Sequence, residues 1–250
     1  MIAGEAYAGD AEAAAARKIG EALMNEFSPE RVSVTVADGG KRAWAECTGA
    51  KISGIRIEEI KLDASLNPGA VQSAETGEEI MRCIESSKGE ITLAELDVND
   101  YFASGEAASG FSGLAFDFTP KGYKAKGRFE AELLVLKLDL DLKAEGKLGL
   151  KSDGVYLEET VIYAEGAQQS DTITELVTER VNPLLSFSEI PFPVEFSRIR
   201  MTNDAVTMSG NPGKAKRGES WSWEKLRKTK CSKKSGLPQI QEGRIFCVLA

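Results

Sequence analysis

From Arg31 the chain alternates. Val32, Val34 and Val36 are separated by Ser33 and Thr35, and Asp38-Gly39-Gly40 turns into a second run through Trp44. A period of two with a Gly-rich turn predicts a β-hairpin. Before it, Asp10 to Phe27 is Ala- and Glu-rich, with Ala15, Ile19, Leu23 and Phe27 four apart on one stripe of a helix that Ser28-Pro29 stops. Ile52 to Leu66 continues as strand. Its apolar face moves by one position after Glu58-Glu59, from Ile55 and Ile57 to Ile60, Leu62 and Ala64, which predicts a bulge. Leu66-Asn67-Pro68-Gly69 ends that strand. Ala70 to Gly89 fits either a short helix around Glu78 to Glu85 or a strand.

Thr92-Leu93-Ala94-Glu95 reads as a capping box opening a helix through about Ala103, with Ala94, Val98, Tyr101 and Phe102 inward. The longest alternation follows. Leu114, Phe116 and Phe118 lead through Pro120-Lys121-Gly122 into a return over Tyr123 to Phe129. Leu134, Leu136, Leu138, Leu140 and Leu142 then alternate with largely charged residues, giving one wholly apolar face. Ser152-Asp153-Gly154 turns into Val155 to Ala164, and Thr172 to Glu175 reads as a second capping box for a helix that Pro183 closes. Pro191 to Met201 and Val206 to Ser209 form a last hairpin.

This order predicts an α+β domain: antiparallel strands with an N-terminal helix and two short ones. A helix of 16 residues is about 24 Å long, whereas the strand from Leu134 to Leu150 would reach about 55 Å. The helices therefore leave part of the apolar face uncovered. Either the sheet closes into a barrel with a dry core, or an apolar ligand fills the remaining space. In the second case Leu114, Phe116, Phe118, Leu134, Leu136, Leu138 and Leu140 are the candidate groove lining. Phe and Met positions in β alternation serve either outcome.

Histidine is absent, which removes Ser-His-Asp and Cys-His catalysis, His-ligated zinc and haem His. Glu58-Glu59 and Glu158-Glu159 are carboxylate pairs, but adjacent strand residues point to opposite faces, so neither converges on a substrate. No Gly-rich phosphate loop occurs, and Cys47, Cys83, Cys231 and Cys247 make no C-x-x-C pair. The reading is of a non-catalytic chain without cofactor or metal.

Net charge is −8, but residues 211–250 carry +7 and the preceding 210 carry −15. The acidic body repels nucleic acid and anionic surfaces. The basic tail can be read as a prenylation box at Cys247 with upstream Lys and Arg, as a nucleic-acid contact through Trp221 and Trp223, or as a disordered appendage; the abrupt change of composition after Gly210 favours the last. Ala6-Tyr7-Ala8 has the small-x-small pattern of a signal-peptidase site without a preceding apolar region. Residues 1–9 are thus a processing remnant or linker, 10–210 the domain and 211–250 the tail.

Four stretches resemble the LmeA-type family of phospholipid-binding proteins of the bacterial cell envelope: Ile52 to Asp63, Ile91 to Ser104 (ITLAELDVNDYFAS), Phe116 to Phe129, and Val181 to Gly210 (VNPLLSFSEIPFPVEFSRIRMTNDAVTMSG). The resemblance covers about residues 30 to 210. It implies a tubular lipid-binding (TULIP-like) fold, with a long helix in a strongly bent antiparallel sheet and lipid between them. Under that fold Ile19, Leu23 and Phe27 face the groove. It also implies phospholipid or another acyl-chain lipid as partner, transient membrane contact, no catalysis, and export to the periplasm or envelope; without an upstream signal the chain would be cytoplasmic. The basic tail departs from the family pattern. A structural or protein-interaction domain with a filled core is the alternative.

Overall fold

The chain opens with helix α1 (Ala8–Phe27), then strands β1 (Arg31–Ala37), β2 (Arg42–Ile52) and β3 (Ile55–Leu66), and short helices α2 (Pro68–Ser73) and α3 (Gly77–Arg82). Next come β4 (Ile84–Ala94), α4 (Glu95–Ala103), β5 (Phe111–Thr119), β6 (Gly122–Leu133), β7 (Leu136–Lys151), β8 (Gly154–Ala164) and β9 (Ala167–Gln168). The remainder is α5 (Asp171–Glu179), β10 (Leu185–Ser186), β11 (Arg198–Met201), β12 (Ala205–Ser209) and β13 (Glu219–Glu224). The structure is a computed structural model that describes residues 8–104, 110–133 and 136–225, with side chains other than those of Ala8 and residues 132–138.

The α+β class and the antiparallel pairing are as the alternation predicts. The strands divide between two open sheets, one in the order β11-β12-β4-β3-β2-β1-β13 and the other β10-β8-β7-β6-β5, with β9 on β8. Neither closes into a barrel, and among the described residues four short helices accompany α1 where the sequence suggests two. Helix α1 packs on β1, β2 and β13 of the first sheet and against α2 and α3. Helix α4 touches β3 and β4 of one sheet and β5 of the other, joining them. One continuous core runs from Ile19, Leu23 and Val34 through Leu93 and Val98 to Phe116, Phe118 and Leu148.

Local chemistry explains several boundaries. Lys18 on α1 donates to the carbonyls of Val71, Gln72 and Ala74, three orphan acceptors at the C-terminal end of α2. A complete capping box at Thr76 and Glu79 opens α3 inside the stretch that sequence left ambiguous. The box expected at Thr92 does not form, because Thr92 and Leu93 are held in the β4 ladder with β12. Helix α4 starts from Ala94, and the Glu95 carboxylate instead accepts from the Phe118 backbone N–H at 2.5 Å. At α5 the cap is Ser170, two residues before Thr172.

The shift of apolar face at Glu58-Glu59 is real, but it is not a register slip: β2 and β3 stay in step across it. Both strands change face together, β2 at Gly49, whose φ of 65° only a residue without Cβ adopts at little cost. Register shifts lie instead at Ser65/Leu66 between β3 and β4, at Ser112/Ala115 in β5, and in β8 opposite Glu145 to Lys147, where Glu159 has φ 49°. Cys47 and Cys83 are buried and free.

Residues 219–224, within the expected disordered tail, form edge strand β13, paired with β1 from Arg31↔Glu224 to Val36↔Glu219. The connection from β12 crosses the outer face of the first sheet, where Gly213 N–H donates to the buried Asp63 carboxylate at 3.0 Å. Composition misled here because the basic residues of 211–225 are exposed while Trp221 is buried in the core and Trp223 packs half-buried against it. Residues 226–250 lie outside the described residues.

Candidate functional site

The inward positions of β6 and β7 carry Tyr123, Phe129, Leu142 and Leu148, but Ala125, Gly127 and Ala144 interrupt them. Ala125 faces Ala144 and Gly127 faces Leu142 across the ladder. These short side chains hollow the middle of a bulky face. Helix α5 lies over the hollow with Val177 buried and Ile173 and Leu176 half-buried, the stripe that its helical spacing predicts. Between them is a cavity of about 30 Å³, walled by Phe116, Leu142, Leu157, Ile162, Val177 and Val181 among others.

That volume is the share of about one water molecule in the liquid, far below the roughly 300–1,000 Å³ of a preformed ligand pocket. The wall presents carbon to the cavity. Its polar groups satisfy one another: the Tyr123 hydroxyl and Thr160 Oγ1 are 2.7 Å apart, and Thr178 Oγ1 donates to the Thr174 carbonyl at 2.8 Å. Burial pushes the Tyr123 phenol up to about 12, so it stays neutral. Such a space suits hydrocarbon and offers nothing to orient a polar reactant.

Two asparagines bracket this sheet. Asn99 of α4 donates to the Phe116 carbonyl at 2.9 Å and accepts from its N–H at 2.7 Å, standing in for a strand beside β5. Asn182, just after α5, accepts from Leu157 N–H at 2.7 Å and donates to its carbonyl at 3.2 Å, doing the same for β8. Helix α5 is therefore tied to β8 at its C-terminal end by Asn182 and at its N-terminal end by β9 and the Gln169 N–H, which donates to Ile162 at 2.8 Å.

Of the residues expected to line a groove, Leu114 and Phe116 reach this cavity. Phe118 is buried deeper in the core, and Leu140 is half-buried beside Phe129 and Leu142. Leu136 and Leu138 pair through the backbone with Leu133 and Ala131. Their side chains, and Leu134 altogether, lie outside the described residues. Ile19, Leu23 and Phe27 are buried in the same continuous core on the side of the first sheet, with Phe27 edge-to-face on Phe192, and border no part of this cavity. Sequence reasoning missed the small residues Ala125, Gly127 and Ala144 and the two asparagines. A drop in side-chain size inside an apolar alternation was the available signal for the first three.

Elsewhere the chemistry is structural. Glu59 pairs with Lys61 at 2.5 Å and Glu159 with Lys147 at 2.6 Å, and neither carboxylate doublet converges. Among the described residues no group of three or more Cys, Asp or Glu could hold a metal ion, and no helix is long and apolar enough to cross a membrane. A cleft of about 510 Å³ between the 211–215 crossing and the outer face of the first sheet mixes apolar Trp44, Ala45, Leu62 and Pro212 with the charged side chains Glu46, Lys61, Glu90 and Lys214.

Searches of curated proteins and of solved structures return no match. A family model described as LmeA-like phospholipid-binding matches residues 45–211, from β2 to the end of β12, and so takes in the small-residue hollow, both asparagines and α5. The chain belongs to the LmeA-like phospholipid-binding family.

Proposed function

We propose that the protein binds phospholipid without catalysis, holding acyl chain against the hollow of the second sheet beneath α5, and that it works in the cell envelope. The observation that carries this reading is the carbon-walled cavity under an amphipathic helix whose hydrogen bonds to the sheet, among the described residues, lie at its ends. As it stands the cavity holds no lipid tail, so α5 must lift. Hydrocarbon then replaces hydrocarbon: burying each CH₂ is worth about 0.8 kcal/mol, which offsets the contacts that Ile173, Leu176 and Val177 give up. The envelope location rests on the Ala6-Tyr7-Ala8 pattern and the family, and fractionation of cells expressing the full-length native protein tests it.

The small size of the cavity favours a second reading, a domain with a filled core and no ligand. A native mass spectrum separates the two. The lipid binder shows added mass that solvent extraction identifies as phospholipid, and Ala144→Leu, which fills the hollow, removes that mass while the circular dichroism spectrum stays folded. A wild type that never carries lipid, even after incubation with phospholipid vesicles, supports the filled core.

A further inference from the structure

The outward face of the second sheet is a grid of charges, and its rows can be read from the strand register. Lys124 lies between Asp117 on β5 and Glu145 on β7, and Arg128 lies opposite Asp141. The row between them is different. It runs Ala115, Lys126, Lys143, Tyr163 and contains no acid. Two lysines directly opposite on neighbouring strands have Cβ atoms about 5 Å apart, an unfavourable pairing. Asp141 and Glu145 stand one diagonal step from Lys126, yet among the described residues neither lysine forms an ion pair. The same sheet holds an acidic pair, Glu130 opposite Asp139, and there Arg128 bridges both carboxylates. Nothing within the described residues plays that part for the lysines.

The lysine row adjoins the acyl site. Lys126 borders both the cavity under α5 and a shallow outer cleft in which three lysines, Lys124, Lys126 and Lys143, outnumber two carboxylates, Asp117 and Glu145, the latter accepting from the Tyr163 hydroxyl at 3.5 Å. Beside it β5 is bulged, Gly113 and Leu114 together facing Gly127, with Gly113 at φ 61° and open space where its Cβ would be. Asn99 and Glu95 cover the edge of β5 at Phe116 and Phe118, whereas Ser112 and Gly113 are exposed. Among the described residues the edge is thus open at the bulge, one strand from Lys126.

We infer that Lys126 and Lys143 form the phosphate subsite for the lipid headgroup, its chains passing the β5 bulge into the cavity. This rests on the acyl-binding reading above. Two ammonium groups present donors only, which matches a phosphodiester and not a zwitterion's cationic end.

The test measures binding of short-chain phosphatidylglycerol, of the diacylglycerol with the same chains, and of inorganic phosphate, to the full chain and to Lys126→Gln/Lys143→Gln. Wild type should prefer the phospholipid to the diacylglycerol at least tenfold. The double variant should lose that preference, keep diacylglycerol affinity, and melt no lower than wild type because a like-charge pair is gone. Lys121→Gln, in the β5–β6 turn, should behave as wild type. Unchanged phospholipid affinity in the double variant, or equal loss of both lipids, overturns the subsite. Inorganic phosphate competing at the same concentration as the phospholipid assigns the lysines to free phosphate and overturns the headgroup role. Failure of wild type to bind either lipid overturns the acyl-binding reading itself.

Discussion

Gly20 is where α1 comes closest to the edge strand: a Cβ there would overlap the Trp221 ring. Gly20→Ala should therefore push α1 off β13, and a denaturant melt should show a loss of about 1–3 kcal/mol even though alanine is the better helix former. Leu23, 1% exposed, packs in the same layer. Leu23→Ala should cost about 2–5 kcal/mol, and added phospholipid should change that cost only as it changes wild type, since Leu23 does not border the cavity under α5. A cost that shrinks when lipid is added would return α1 to the site. Cys47 gives a pH test. Burial pushes its thiol from 9.0 up to about 12, so the unfolded chain loses this proton first as pH rises. Its contribution to stability is fully present below about pH 9 and declines between there and about 12. The melting midpoint should be level from pH 7 to 8.5 and fall above about 9, less steeply in Cys47→Ala; the part that remains includes the Cys83 thiol, raised from 9.0 by burial, and above about pH 10 Tyr123, pushed up to about 12.

At the scale of elements, α5 is an amphipathic helix held by its ends, and the two ties differ in kind. Asn182→Ala removes both hydrogen bonds to Leu157 and leaves a backbone N–H and C=O without partners at the edge of β8. The loss should be about 1–3 kcal/mol by denaturant melt. Amide exchange should also quicken across Asp171–Glu179 more than in α1, because the remaining tie at β9 is two residues long. Equal protection in both helices would show that apolar packing alone holds α5 down. Asn99 stands in the same relation to β5, so Asn99→Ala should lower stability comparably while leaving α5 exchange as in wild type.

Across the whole molecule, the first sheet depends on a strand from the far end of the chain. Truncation after Gly210 removes β13, exposes Val34 and Gly20, and deletes Trp221, whose loss alone is worth about 3–5 kcal/mol. For a domain of this size the melting temperature should drop by about 10 °C or more, and truncation after Lys225, which keeps β13, should leave it within a few degrees. What the sequence determined by itself is what depends on near neighbours along the chain. The period of two in Val32 to Val36 and Leu114 to Phe118, the four-residue stripe of α1, and the change of apolar face at Glu58-Glu59 all follow from backbone sterics and side-chain period. Motifs shared over residues 45–211 likewise carried the family. Only the tertiary structure decided which strands joined which sheet, because an alternating strand specifies which face it buries and not the partner it buries it against. For the same reason Ile19, Leu23 and Phe27 were legible as buried but not as distant from the cavity, and Trp221 was hidden by the charge around it. The hollow at Ala125, Gly127 and Ala144 and the unbalanced pair of Lys126 and Lys143 exist only once β6 and β7 lie side by side in one register, with α5 brought across them by contacts from outside its own sequence.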